Sequence, residues 1–250
     1  MVVSAWLGKK VRVEGKILVY LRTIKLLREQ FPDARRYPFD LPSLRALEAI
    51  ELAASVTFFV GENGSGKSTL LEAIAYQCGF HTAGGSRHNY YSVDKAEASL
   101  GDYIRLSWMP KQTNGFFLRA ESFYQFASHI DEIGGTASYG GRSLHSQSHG
   151  EAFMALFTNR FNGKGIYLLD EPEAALSPKR QLAFLYLMRE LVEEGAQFLI
   201  ATHSPILLGY PGADIYTFDE SPAQPIRYQD TEHYQLTRRF LEKPDAFFRD

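Results

Sequence analysis

The sequence predicts an α/β fold built on a mostly parallel sheet flanked by helices, and three observations predict it. A short β-rich run, Ser55 to Val60, passes through a glycine-rich loop into Lys67 to Cys78, where Leu70, Leu71, Ile74 and Ala75 recur at helical spacing. Downstream, helix-spaced and apolar segments alternate: Gly150 to Phe161 and Pro178 to Glu194 read as helices, Gly165 to Leu169 and Gln197 to Ala201 as strands. These strands are apolar at successive positions rather than at every second one, the pattern of strands covered by helices on both faces. The 250 residues are 45% hydrophobic, ample for such a core.

The remaining elements follow in order. Tyr20 to Leu27 suits a strand, and the Pro-marked stretch Gln30 to Pro42 interrupts it. His81 to Asn89 reads as a loop. Leu100 to Met109 and Gly115 to Ala120 read as two strands, expected to form an antiparallel hairpin about Lys111 to Asn114. Glu121 to Ile133 has helical spacing, and a long Gly/Ser-rich loop, Gly134 to Ser148, separates it from the next helix. Asp214 to Phe218 adds a strand and Thr231 to Leu241 a closing helix. The expected organisation is one domain over residues 1–250, with 1–19 as an extension and about 82–160 as an inserted hairpin and helical subdomain.

Composition narrows the function classes. With 27 basic and 29 acidic residues the formal charge is -2, so no bulk field draws the chain to nucleic acid or anionic lipid. The single cysteine, Cys78, excludes an intramolecular disulfide and a Cys-rich zinc cluster and suits a reducing compartment, so the cytoplasm is expected. No apolar run approaches the roughly 20 residues that cross a bilayer, and the N-terminal stretch lacks the features of a secretory signal. No repeat of solenoid period is present.

The chemistry concentrates at Gly61-Glu62-Asn63-Gly64-Ser65-Gly66-Lys67-Ser68-Thr69, which fits GxxxxGK[ST], the Walker A pattern. Its glycines let backbone N–H groups turn inward around a phosphate. The helix beginning near Lys67 aims its positive end at the same anion, Lys67 adds a charge, and Ser68 offers a hydroxyl to Mg²⁺. A chance match in a chain of this length is on the order of one per cent at ordinary glycine frequency. Residues 62–69, Glu62, Asn63, Gly64, Ser65, Gly66, Lys67, Ser68 and Thr69, are therefore the expected ATP-binding set.

A second motif is Ile166-Tyr167-Leu168-Leu169-Asp170-Glu171, a core strand that delivers two carboxylates to its carboxyl end, where α/β sheets bind ligands. Asp170 is the expected Mg²⁺ partner with Ser68. Glu171 is the expected carboxylate that orients and polarises the attacking water. His203 follows the Gln197 to Ala201 strand, so it reaches the same crevice and could bond a γ-phosphate.

Together these residues resemble the ATP-binding-cassette (ABC) ATPases, from about Tyr20 to Phe240. Ser148-His149-Gly150-Glu151 looks like that family's signature motif, Ser-Gly-Gly-Gln, opening a helix; Glu173 to Ser177 resembles the D-loop and His203 the switch histidine. The resemblance implies the P-loop NTPase fold of that family, with an antiparallel β portion and a helical signature subdomain. It also implies ATP and Mg²⁺ as ligands and a homodimer on ATP binding, in which Ser148 and Gly150 of one copy reach the γ-phosphate held by the other. A glutamine closing the strand before the helical subdomain would touch metal and water in the family. Glu121 stands where it is expected, with Gln112, in the turn before that strand, as the other candidate. Tyr37 or Phe39 could stack on adenine.

His149 and Glu151 replace Gly and Gln of the transporter signature, and Ser177 replaces the D-loop Asp. Asp-Glu-Pro-Glu followed by Leu-Ser-Pro is similar to the soluble, stand-alone predicted AAA/ABC ATPases of the recombination, chromosome-maintenance (SMC) and overcoming-lysogenisation branch, in a chain too short for coiled-coil arms. The leading expectation is an ATPase acting on a nucleic-acid or protein partner, with Arg87, His88, Tyr90 and Tyr91 as a candidate contact surface. A transporter's nucleotide-binding subunit is the alternative, and a small-molecule kinase would share the P-loop alone.

Overall fold

The computed structural model describes residues 19–80, 100–121, 123, 149–161 and 163–248. Two sheets organise them. The larger runs β5 (Gly115–Arg119), β6 (Gly165–Asp170), β7 (Ala196–Ala201), β3 (Val56–Val60), β8 (Asp214–Thr217) and β9 (Gln224–Pro225). Its pairs are parallel from β5 through β8, and β9 joins antiparallel. The smaller sheet is antiparallel, β2 (Ala49–Glu51), β1 (Leu21–Leu26) and β4 (Ile104–Trp108) in that order.

The burial of each strand follows its sequence. Every residue of β3, β6 and β7 is buried, as their unbroken apolar runs require. Consecutive residues point to opposite faces, so Phe58, Phe116 and Tyr167 enter one apolar layer and Phe59, Phe117 and Leu168 the other. In β1 (Leu-Arg-Thr-Ile-Lys-Leu), Leu21, Ile24 and Leu26 are buried and the polar residues are not, because only one face of that sheet is covered.

Helices fill both layers. The helix α2 (Lys67–Cys78) lies between the sheets, with Leu70, Leu71 and Ile74 in the second layer, and ends at Gly79, whose φ of 71° closes the last turn. On the other face are α3 (His149–Arg160) and α4 (Pro178–Glu193), where Phe153, Phe157 and Phe161 pack with Phe184 and Tyr167. Three further helices, α1 (Pro42–Arg45), α5 (Pro205–Leu208) and α6 (Glu232–Glu242), are peripheral. Among the described residues no helix is long and apolar enough to cross a membrane.

Polar side chains tie the sheets together, and Tyr216 of β8 donates its hydroxyl to the Glu51 carbonyl of β2 at 2.7 Å. Gln197, fully buried in β7, accepts the N–H groups of Tyr20 and Leu21 at 3.0 and 2.9 Å and donates to the Leu21 carbonyl at 2.9 Å.

The strand, loop and helix readings around β3, α2, β6, α4 and β7 agree with this architecture. The expected hairpin does not form. β4 pairs with β1, and β5 pairs with β6 in parallel, so the connection between them crosses from one sheet to the other. The reason lies in side-chain pattern: β4 buries one face, whereas β5 carries Phe116, Phe117 and Leu118 buried in succession and suits a sheet covered on both faces. The expected helix from Glu121 to Ile133 and the cluster of Arg87, His88, Tyr90 and Tyr91 lie outside the described residues, apart from 121 and 123.

Candidate nucleotide site

The carboxyl ends of β3, β5, β6 and β7 meet on one edge of the larger sheet, and each delivers a polar group there. From β3 the chain enters the glycine loop. Gly66 has φ of 104° directly before α2, a value that L side chains rarely adopt. At Gly61 a Cβ would come 2.9 Å from Asp219 Oδ1, and that carboxylate accepts the Glu62 N–H at 2.7 Å. Asp219 thus braces the start of the loop. On the far side Ser43 donates to the Ser65 carbonyl.

Lys67 is nearly buried, and its ammonium folds over the loop: Nζ donates to the carbonyls of Gly61 and Glu62 at 2.6 and 2.8 Å and lies 3.4 Å from Ser65 Oγ. Burial lowers its pKa, and the surrounding carboxylates, Glu171 and Asp219 foremost, oppose the shift. The loop carbonyls hold this charge where an incoming phosphate would take it over.

One residue further, Ser68 Oγ donates to Asp170 Oδ1 at 2.9 Å. The two motifs, far apart in sequence, therefore meet at one point. Burial pushes the Asp170 carboxyl up to about 6, against the Ser68 bond and the Arg119 charge. A hydroxyl and one carboxylate beside a phosphate loop suit Mg²⁺, which takes few protein ligands and completes its octahedron with water and phosphate oxygens. Among the described residues no group of three or more His, Cys, Asp or Glu could hold a metal by itself.

Glu171 follows on β6 with φ of 51°, the one non-glycine residue with positive φ among the described residues, while its N–H donates to the Ala201 carbonyl at 2.9 Å. A left-handed conformation at a glutamate costs about 1 kcal/mol and is held here by its neighbours. Its Oε1 lies 3.6 Å from His203 Nε2.

His203 stands on a loop pinned from several sides. Its backbone N–H donates to Glu173 Oε1 at 2.6 Å, Thr202 Oγ1 accepts the Ser204 N–H at 3.0 Å, and Ser204 Oγ donates to Gln181 of α4 at 2.5 Å. Burial first, and then the Lys67 charge and His233, hold the imidazole below its ordinary pKa. Its Nδ1 lies 3.0 Å from Nε2 of His233, near the start of α6.

The two candidates for the glutamine position separate. Gln112 precedes β5, at the opposite end from the site, and its Oε1 accepts the Thr113 and Asn114 N–H groups of its own turn. Glu121 comes to the rim, where its exposed carboxylate lies 3.3 Å from Arg119 Nη2. Phe39 is buried against Phe31 and Tyr103, which removes it as a stacking surface, whereas Tyr37 is exposed and its hydroxyl lies 3.0 Å from Thr69 Oγ1.

Gly150, in the first turn of α3, is buried where that helix meets the turn after β6: a Cβ there would come 3.0 Å from the Ala175 carbonyl. Arg180 beside it pairs with Glu151 at 3.3 Å. Ser148 lies outside the described residues.

Sequence reasoning missed Arg119, Glu72 and His233. Arg119 ends β5 with Nη1 on Glu72, Nη2 on Glu121 and Nε 3.5 Å from Asp170 Oδ2. A cation closing an apolar strand, and a glutamate four residues after Ser68 on the same helix face, are the signals that could have found the first two. Nothing local marks His233.

Comparison with known proteins points to ATPase domains. The family model described as "AAA domain, putative AbiEii toxin, Type IV TA system" matches residues 146–209, and one described as "AAA domain" matches residues 40–128. Curated relatives include the pyoverdine export ATP-binding/permease protein PvdT of Pseudomonas entomophila, 26% identical over 240 residues and 80% of this chain. Another is the manganese transport system ATP-binding protein MntA of Synechocystis, 29% identical over 60% of this chain. The chain spans 36% of the length of the first and 64% of the second. Among solved structures, an SMC head bound to the C-terminal winged-helix domain of ScpA aligns with a TM-score of 0.50 at 14% identity, covering 83% of this chain and 98% of that one.

Proposed function

We propose that this P-loop ATPase domain of the ABC type binds ATP with Mg²⁺ in the loop 62–69 and hydrolyses it as a head-to-tail homodimer coupled to a nucleic-acid or protein partner. The observation that carries the reading is the Ser68–Asp170 bond at 2.9 Å, directly beside the Lys67 ammonium. It joins a phosphate cradle to a metal-competent carboxylate.

In this reading Lys67 exchanges the Gly61 and Glu62 carbonyls for phosphate oxygens, while the loop amides and the amino end of α2 surround the same charge. Ser68 and Asp170 would hold Mg²⁺, which supplies charge neutralisation across the β- and γ-phosphates when bound. Glu171 orients the attacking water, and His203 donates a hydrogen bond to the γ-phosphate from Nε2. Glu121 takes the rim position beside Arg119, and Tyr37 faces the adenine. The signature end of a second copy, Ser148 and Gly150, closes the site, since the first turn of α3 packs on its own chain's turn at Ala175. The whole chain, 1–250, acts as one domain in the cytoplasm, with about 82–160 as its insertion.

Identity with export and manganese-transport ATP-binding proteins favours a second reading, a nucleotide-binding subunit that drives a membrane partner. The departures at His149, Glu151 and Ser177 favour the first. One assay decides the core of the proposal: purified protein hydrolyses ATP with Mg²⁺, and Lys67→Ala abolishes ATP binding in calorimetry. Unchanged affinity in that variant removes the P-loop assignment. Adding DNA, RNA or cell extract to the same assay then reveals the partner class by stimulation.

A further inference from the structure

The two ring nitrogens of His203 face different surroundings. Nε2 lies 3.6 Å from Glu171 Oε1, on the side where the attacking water is oriented, and Nδ1 lies 3.0 Å from His233 Nε2. A neutral imidazole carries one N–H. Nε2 makes no hydrogen bond at 3.6 Å, but a carboxylate only accepts, so a proton on Nε2 is the assignment that meets Glu171 with a donor. Nδ1 is then a lone pair, and the contact with His233 is a hydrogen bond only if His233 donates from its own Nε2. The opposite assignment points a His203 lone pair at the Glu171 carboxylate.

His233 suits the donor role by position. It is the second residue of α6, whose start is fixed by Thr231: the buried hydroxyl accepts the Tyr234 N–H at 3.3 Å and donates to the Tyr228 carbonyl at 2.8 Å. A neutral imidazole there has one N–H to give, and the 3.0 Å contact from its Nε2 directs that proton at His203 Nδ1. On the other side His203 is anchored through its backbone by Glu173. Both partners of the contact are therefore held by separate elements.

We propose that His233 is a positioning residue for His203: by donating its Nε2–H to His203 Nδ1 it holds the tautomer that carries the proton on Nε2. That is the form in which a neutral His203 can donate to a terminal phosphate oxygen. This rests on the ATP-hydrolysis reading and extends it, because it makes the first turn of α6, at the carboxyl-terminal side of the fold, part of the hydrolytic machinery.

Two measurements test it. In ring ¹⁵N spectra of the nucleotide-free protein, His203 is expected to be protonated at Nε2 and bare at Nδ1, and His233→Phe is expected to turn this into a tautomer mixture. An unchanged His203 tautomer in His233→Phe overturns the proposal. In steady-state assays His233→Phe is expected to lower kcat on the order of ten-fold with KM for ATP unchanged, one hydrogen bond's worth of preorganisation. His233→Gln, whose amide N–H can donate from a similar place, is expected to restore most of it. The double variant His203→Ala, His233→Phe is expected to be no slower than His203→Ala alone. Additive losses, or a Gln variant no better than Phe at equal melting temperature, also overturn it. If the wild-type protein hydrolyses no ATP, the hydrolytic reading fails, while the spectra still decide whether His233 sets the His203 tautomer.

Discussion

At the residue scale the site is a set of charges held against their solvation preference. Asp170 illustrates the consequence. Its carboxyl is raised from 3.8 to about 6, chiefly by burial. The folded state therefore holds the Asp170 proton more tightly than the unfolded state does, and wild-type stability falls as pH rises from about 4 to about 6. Above that window the charged carboxylate imposes its full penalty. Asp170→Asn is expected to stabilise the nucleotide-free protein by about 2 kcal/mol near pH 8 and by little near pH 4. Urea titrations at both ends of the window check this; an equal difference at both pH values refutes it. Under the proposed function the same substitution is expected to abolish Mg²⁺-dependent hydrolysis, a trade of stability against function.

Residues carried by a motif were legible, including the meeting of Ser68, Asp170 and His203 at one crevice; contacts across the fold that no motif carries were not. Lys67 and Ser68 follow from the glycine loop because phosphate recognition there uses consecutive amides and the start of one helix. Arg119 reaches Glu72 and Asp170 only because β5 lies beside β6, an adjacency that no local pattern encodes.

At the element scale, continuous apolar runs identified β3, β6 and β7 and helical spacing identified α2 and α4, since burial on both faces or on one stripe leaves a periodic trace. The β4–β5 hairpin failed on the same principle: two apolar runs separated by a polar turn suit a hairpin, yet each strand found a better-matched neighbour elsewhere. β2 and α5, of three and four residues, are too short to carry a period. Gln197 shows how a polar exception in an apolar strand becomes structural. Gln197→Leu keeps the volume but strips partners from the N–H groups of Tyr20 and Leu21 and the Leu21 carbonyl. A loss of about 2–4 kcal/mol is expected. The urea midpoint measures it, and a change under about 0.5 kcal/mol, the scale of a neutral surface substitution, would show that the Gln197 bonds add little to the joint between the sheets.

At the scale of the whole molecule, the parallel sheet gathers four strand ends on one edge and leaves the first turn of α3 against the turn at Ala175 rather than in a closed catalytic pocket. The proposed dimer is tested at this scale. Glu171→Gln keeps the geometry and removes the carboxylate proposed to orient water, so this variant is expected to bind ATP, hydrolyse it at least about a hundred-fold more slowly, and accumulate as a dimer. Size-exclusion chromatography with light scattering, run with and without ATP, reads the outcome. A variant that binds ATP and remains monomeric excludes the composite site. The formal charge of -2 adds that any nucleic-acid contact would have to come from a local cluster, so stimulation by DNA or RNA would point to a discrete surface.

By itself the sequence determined the α/β class and marked the glycine loop and the carboxylate pair at Asp170 and Glu171 as the candidate site, because each is written in short-range order: adjacent amides, successive apolar residues, one helical stripe. The tertiary structure alone decided that Arg119 reaches Glu72, Glu121 and Asp170, that β4 and β5 part company, and that His233 lies against His203. Those outcomes depend on strand order and helix placement, where the free energy of burying whole faces outweighs any preference carried by a few neighbouring residues.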